Sequence, residues 1–142
     1  LNRGLYFLLL DPDSPDVRAI AQRHGKNIQN EIKQVIEVIK NAGYRQRNNF
    51  HLRFFDAVPP FTAVMIDGDV GAATTPPMDK YGRIRVQPGS AYSVQHKGII
   101  FTFAKTREGN LSGFDCFAQD LRKQWTAAEG SEAKVRALFD SR

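Results

Sequence analysis

The order of apolar and polar positions divides this 142-residue chain into short segments of two kinds. Leu5–Leu10, LYFLLL, is an unbroken apolar run with Gly4 before it and Asp11-Pro12 after it. Such a run without alternation predicts a buried strand, parallel to its neighbour. Asp11-Pro12-Asp13-Ser14-Pro15-Asp16 is turn chemistry leading into a helix. Ser14 or Asp13 can cap that helix, Pro15 suits its first position, and Asp16 favours the positive end of its dipole. Val17, Ile20 and Ala21 share one face until His24-Gly25, where Gly25 is placed to stop the helix. Over residues 26–41, Ile28, Ile32, Val35, Ile36 and Ile39 recur at spacings of three and four, and Gly43 closes the segment. That stripe predicts an amphipathic helix packing Ile28, Ile32, Val35 and Ile39 onto one face.

The stretch HLRFFDAVPPFTAVMIDGDV, residues 51–70, reads as two strands, 51–56 and 61–66, around a stiff corner. Pro59-Pro60 cannot donate backbone hydrogen bonds and fixes φ, so it belongs in the corner and not in a ladder. The four residues between Asp56 and Phe61 then turn the second strand antiparallel to the first. Asp67-Gly68 is a tight-turn pair, and residues 70–73 offer a brief further strand. Residues 74–97 hold no helical period; only Ile84 and Val86 alternate as a short strand does. A connection this long points to function or mobility. GIIFTF, residues 98–103, is read as another buried strand. Phe114, Phe117, Leu121 and Trp125 give the next helix its apolar face, with Cys116 read as core, and Val135, Leu138 and Phe139 mark a last helix over 131–139. Strand, helical crossover, strand predicts a parallel first pair joined right-handed. The expectation is a single α/β domain, a mixed β-sheet flanked by helices.

Composition narrows the function classes. The net charge of +5 permits contact with anionic groups, but the basic residues are spread and no run reaches five, the pattern of a solvated surface. One cysteine excludes an internal disulfide framework and a cysteine-built metal site. No apolar run approaches the ~20 residues of a membrane span, and no signal peptide is recognisable, so no membrane partner and a cytoplasmic location are expected. Leu1-Asn2-Arg3-Gly4 reads like the end of a helix, and there is no initiator Met. Part of the parent protein is therefore expected upstream.

Catalytic motifs are sparse. There is no Gly-rich phosphate loop, serine nucleophile elbow or zinc pattern, so neither cofactor nor metal is expected. His96-Lys97 are neighbours that point to opposite faces of a strand, and His24 and His51 lack metal-ligand spacing. The order strand, helix, strand, hairpin strand, strand, helix, with Ile66-Asp67-Gly68 in the hairpin, resembles one phospholipase D-like unit. Active members of that family carry His-x-Lys-x-x-x-x-Asp there. Aligning the Ile-Asp-Gly turns puts Pro60 at the His position and Thr62 at the Lys position, and only Asp67 matches. Without imidazole no phosphohistidine can form. The resemblance implies a degenerate, non-catalytic unit, similar to bacterial domains of regulatory or defence-type proteins. It also implies one more strand and helix before Leu5, and pairing with a second copy or with an upstream domain.

Two other readings stay open. Asp11 and Asp13 after an apolar strand resemble the first motif of haloacid-dehalogenase-type phosphatases. Asp67 and Asp69 could complete a Mg²⁺ site, making a Mg²⁺-dependent phosphohydrolase, though Pro12 and Pro15 are unusual in that motif. The competing structural reading makes Asp11 and Asp13 turn and cap residues. Nucleic-acid binding through Arg45, Arg47, Arg53, Arg83 and Arg85 is the third reading, its mark being steep salt dependence. A small-molecule or partner site is expected beyond the carboxyl ends of the parallel strands. It would combine Asp11, Asp13 and Asp56 with Pro59, Phe61 and Tyr81. That acidic and aromatic wall suits a cation or a partner's basic side chain.

Overall fold

In chain order the elements are β1 (Leu5–Leu10), α1 (Pro15–His24), α2 (Ile28–Asn41), β2 (Phe50–Phe55), β3 (Phe61–Ile66), β4 (Arg83–Pro88), β5 (Phe101–Ala104), α3 (Gly113–Ala127) and α4 (Glu132–Asp140). This computed structural model describes residues 5–25, 27–43, 49–57, 61–66, 82–88, 100–104 and 113–140. The chain gathers into two compact units. One comprises Leu1–Val58 with Ala127–Arg142, the other Pro59–Thr126. In sequence, the second is an insertion into the first.

In the first unit β1 and β2 pair in parallel, from Leu5 opposite Phe50 to Leu10 opposite Phe55. β1, expected to be buried along its length, is buried only at Leu10, and Leu5 and Tyr6 are exposed, because among the described residues it pairs with β2 alone. The ladder runs one bond past each end, Leu5 N–H to the Asn49 carbonyl at 2.7 Å and Asp11 N–H to the Phe55 carbonyl at 2.8 Å. Ser14 caps α1, its buried hydroxyl accepting the Val17 N–H at 3.2 Å. Gly25 ends α1 in the left-handed region at φ 61°, a conformation that costs glycine nothing. Asn27 caps α2 by accepting the Asn30 N–H at 3.2 Å, so the helix starts at Ile28 and not at residue 26. Ile28, Ile32, Ile36 and Ile39 are its buried residues. Val35, expected among them, is 44% exposed. It falls at the margin of the stripe on the side away from Ile36, and Val38, one step further round, is 66% exposed.

In the second unit β3, β4 and β5 form an antiparallel sheet in that order. Alternation on β4 is regular: Ile84 and Val86 are buried while Arg83 and Arg85 are exposed. Phe61, Ile84, Val86, Phe114 and Ala118 form the core, with Ala63, Met65, Phe103, Phe117 and Leu121 packed against it. The Phe117 ring meets Phe61 edge-on at 5.1 Å and stacks on Phe103 at 5.4 Å. Gly82 lets α3 close on the sheet, since a Cβ there would lie 2.6 Å from Phe114 Cζ. Cys116, expected in this core, is exposed. It lies about 200° round the helix from Phe114 and so faces away from the sheet.

The content is α/β, as the sequence predicts, but the described strands form two sheets and not one mixed sheet. The parallel first pair expected from the strand–helix–strand order is present as β1 with β2, but the antiparallel pairing expected between strands 51–56 and 61–66 is not, since β3 pairs with β4 instead. The cause lies on β2. The Phe54 N–H donates to Ser131 Oγ at 2.9 Å, so the C-terminal segment takes the place a third strand would need. The strand expected at 98–103 is β5, Phe101–Ala104, and it is not buried as expected: Ile100 before it is 51% exposed, Phe101 is exposed, and only Phe103 of the strand is half-buried against the core. Residues 70–73, and the parts of 74–97 outside 82–88, lie outside the described residues. No helix among the described residues is long and apolar enough to cross a membrane.

Candidate functional site

The first unit concentrates charge at the carboxyl end of β1. Asp11 is still tied to β2 through its N–H, and the next turn folds around its side chain. Asp11 Oδ1 accepts the Asp13 N–H at 2.9 Å, and the Asp11 carbonyl accepts the Ser14 N–H at 3.1 Å. This aspartate-centred turn sets two carboxylates side by side just before α1.

The C-terminal segment brings their counter-ion. A 3₁₀ turn at Glu129–Ser131 precedes α4, and Ser131 Oγ donates to the Ala128 carbonyl at 2.7 Å while accepting from Phe54. Arg53 Nη2 on β2 pairs with Glu132 Oε1 at 3.0 Å, and Lys40 Nζ lies 5.9 Å from the centre of the Phe139 ring. So held, α4 projects Lys134 into the corner. Its ammonium donates to Asp11 Oδ1 and, at 2.8 Å, to Asp13 Oδ2. It also lies 5.8 Å from the Phe54 ring centre, within cation–π range. Gln29 Nε2 donates to Asp13 Oδ1 at 3.3 Å. The arrangement is an ammonium held by two carboxylates beside an aromatic ring.

Ionisation follows this geometry. The Lys134 hydrogen bond outweighs the opposing cost of burial and, with the charges of Lys134 and Lys33 and the Gln29 contact, holds the Asp13 carboxyl below 3.8. For Lys134, burial pulls the ammonium down. The hydrogen bonds and charges of Asp11 and Asp13 more than offset that, leaving it above 10.5. A general base works best poised near the operating pH, and Asp13 is moved the other way.

No family model matches the sequence. No curated protein and no solved structure matches it either.

Of the residues singled out in sequence, Asp11 and Asp13 come together. Asp56 follows β2 and is exposed. Phe61 belongs to the core of the second unit. Pro59, Tyr81, Asp67 and Asp69 lie outside the described residues, as do Pro60, Arg45 and Arg47. Thr62 lies on β3. Arg53 is committed to Glu132, and His51 stacks on Tyr6 at 4.6 Å. No group of three or more His, Cys, Asp or Glu that could hold a metal occurs among the described residues. The residue that sequence reasoning missed is Lys134, which is 121 positions from Asp13 and 123 from Asp11. The only trace of it in sequence is a lysine on the polar side of the last amphipathic segment.

Proposed function

We propose that this chain is a non-catalytic ligand-sensing or protein-interaction module, degenerate phospholipase D-like in type, working within a larger cytoplasmic regulatory or defence-type protein. Its recognition site is the Asp11–Asp13 corner, and its ligand is a primary ammonium that competes with Lys134. The observation that carries this reading is the lodging of Lys134 between two carboxylates and the Phe54 ring. Those are the groups that select an ammonium by charge, hydrogen bonding and the face of a ring. Lys134 then acts as a built-in competitor, keeping the corner closed until a partner's lysine or a free amine displaces it. The parallel β1–β2 pair joined by helices supports the phospholipase D-like assignment, and Pro60 and Thr62 in place of the catalytic His and Lys support a unit without catalysis. Such units pair, so self-association belongs to the same reading, and monomers alone in sedimentation at tens of micromolar would count against it.

The test titrates n-butylammonium chloride into the wild type, Lys134→Ala, and a variant that adds Asp11→Asn and Asp13→Asn, following the amide resonances of Asp11, Asp13 and Phe54. Lys134→Ala is expected to bind at least tenfold more tightly than wild type, and the triple variant not at all. If Lys134→Ala binds no better than wild type, the corner is only a structural clamp and the sensing role fails. A Mg²⁺-dependent turnover of a phosphate ester that is lost in Asp11→Asn alone would establish the phosphohydrolase in its place.

A further inference from the structure

The second unit has a face that the ammonium site does not involve. Opposite the core, the β3–β4–β5 sheet presents Val64, Arg85 and Thr102 in one cross-strand row, and Arg83 opposite Ala104 in the next. All five are exposed, Val64 to 59%. Arg83 and Arg85 rise from the same side of the central strand, roughly 7 Å apart by the strand repeat. Among the described residues neither has a hydrogen-bond or ion-pair partner, whereas Arg53 on β2 pairs with Glu132. Arg85 lies between Val64 and Thr102, and Arg83 between Ile66 and Ala104.

Sequence extends the pattern. From Lys80 to Arg107 the chain carries Lys80, Arg83, Arg85, Lys97, Lys105 and Arg107 and not one Asp or Glu. This stretch carries +6, and the rest of the chain, with 14 basic and 15 acidic residues, carries −1. Two like charges side by side on a strand, with no carboxylate across from them, work against the fold unless something else uses them.

We propose that the exposed face of β3–β4–β5 binds the phosphate backbone of double-stranded nucleic acid, through Arg83 and Arg85. Guanidinium groups match phosphate by charge and by their forked donors. The side chains described on this face, Val64, Arg83, Arg85, Thr102 and Ala104, are all exposed and include no buried aromatic or aliphatic anchor of the kind on which a protein interface depends. Among the described residues of this face there is also no ring on which an unpaired base could stack, which favours duplex over single strands. Contacts confined to phosphate are independent of base sequence and steeply dependent on salt.

The experiment measures fluorescence anisotropy of a labelled duplex of about 20 base pairs of mixed sequence, between about 50 and 200 mM salt. Variants are Arg83→Gln/Arg85→Gln and, as a control for diffuse charge, Arg18→Gln/Arg23→Gln on the exposed side of α1. All are exposed positions, and circular dichroism confirms folding. The wild type should bind with a linear log–log salt dependence. Replacing Arg83 and Arg85 should lower its slope by about 2 and weaken binding at low salt, since each phosphate contact contributes about 0.9. The α1 pair should leave the slope unchanged. The proposal is overturned by no binding at about 50 mM salt, by equal slopes in the wild type and the β4 variant, or by an equal loss in the α1 control. Tighter binding to a single strand, or displacement by poly-L-glutamate as effective as by unlabelled duplex, overturns it as well.

Discussion

Lys134 connects the two chemical ideas in the acidic corner, because one ammonium both satisfies the carboxylates and occupies the place of a ligand. Replacing it by Met keeps the aliphatic stem and removes the charge. Asp11 is only 20% exposed at its side chain and would lose its strongest donor, so Lys134→Met should destabilise the protein by about 1–3 kcal/mol. Asp13, at 54% exposed, adds little to that because water screens it. The pH dependence has a definite sign. Asp13 is depressed below 3.8, so its contribution is complete above that value and disappears as pH falls through the lower folded value. Lys134 is raised above 10.5, so its contribution is complete below that value and fades as pH rises through the higher folded one. The melting-temperature gap between wild type and Lys134→Met should thus be flat from roughly pH 5 to 10 and close at both extremes. A gap that changes near neutrality would mean another group controls the corner. The aspartate turn was legible in sequence, since the bonds that form it, Asp13 N–H to Asp11 Oδ1 and Ser14 N–H to the Asp11 carbonyl, are local. Lys134 was not, because an ion pair spanning more than a hundred residues leaves no spacing to read.

At the scale of single elements, α2 offers the sharpest contrast. Ile32 is 8% exposed and Val35 is 44% exposed, three positions apart on one helix. Ile32→Ala should cost roughly 2–5 kcal/mol, the transfer and cavity terms of a buried isoleucine. Val35→Ala should stay within about 0.5 kcal/mol, because no cavity forms. Chemical denaturation of both variants checks the phase of the helix; equal losses would mean that Val35 is covered after all. Periodicity gave the existence of α2 and of β1, and the flanking glycines and Asp11-Pro12 gave their limits to within two residues, the Asn27 cap of α2 being missed. It could not say which flank of a five-residue stripe is covered, because that depends on which element lies beside it. The same gap explains the sheet. FHLRFF and FTAVMI were recognisable as strands, but both would fit either one sheet or two. The choice was made by Ser131, which takes the Phe54 amide.

At the scale of the whole molecule, the first unit is closed by its two ends. β1, both crossover helices and β2 come from Leu1–Val58, and their last contacts come from Ala127–Arg142. The entropy of closing a loop grows slowly, about 0.6 kcal/mol per doubling of length, so a long insertion between the two pieces is tolerable. The closing contacts are specific: Ser131 on the Phe54 amide, Glu132 on Arg53, Lys134 on Asp11 and Asp13, and Lys40 over Phe139. All of these except the last fall on β2 or on the turn after β1, the parts of a two-stranded sheet with least support of their own. Removing residues 128–142 should therefore speed amide hydrogen exchange in β2, Phe54 most, by more than tenfold. The Asp13 N–H, whose acceptor is Asp11 Oδ1, should follow. Because a truncated chain can fail to fold, the full-length double variant Ser131→Ala/Glu132→Ala serves as the second measurement. It removes two of the closing contacts and should accelerate the same amides to a smaller extent. Unchanged exchange at Phe54 in the double variant would show that β1 and β2 hold together without the C-terminal segment, and that α4 closes the acidic corner without stabilising the sheet beneath it.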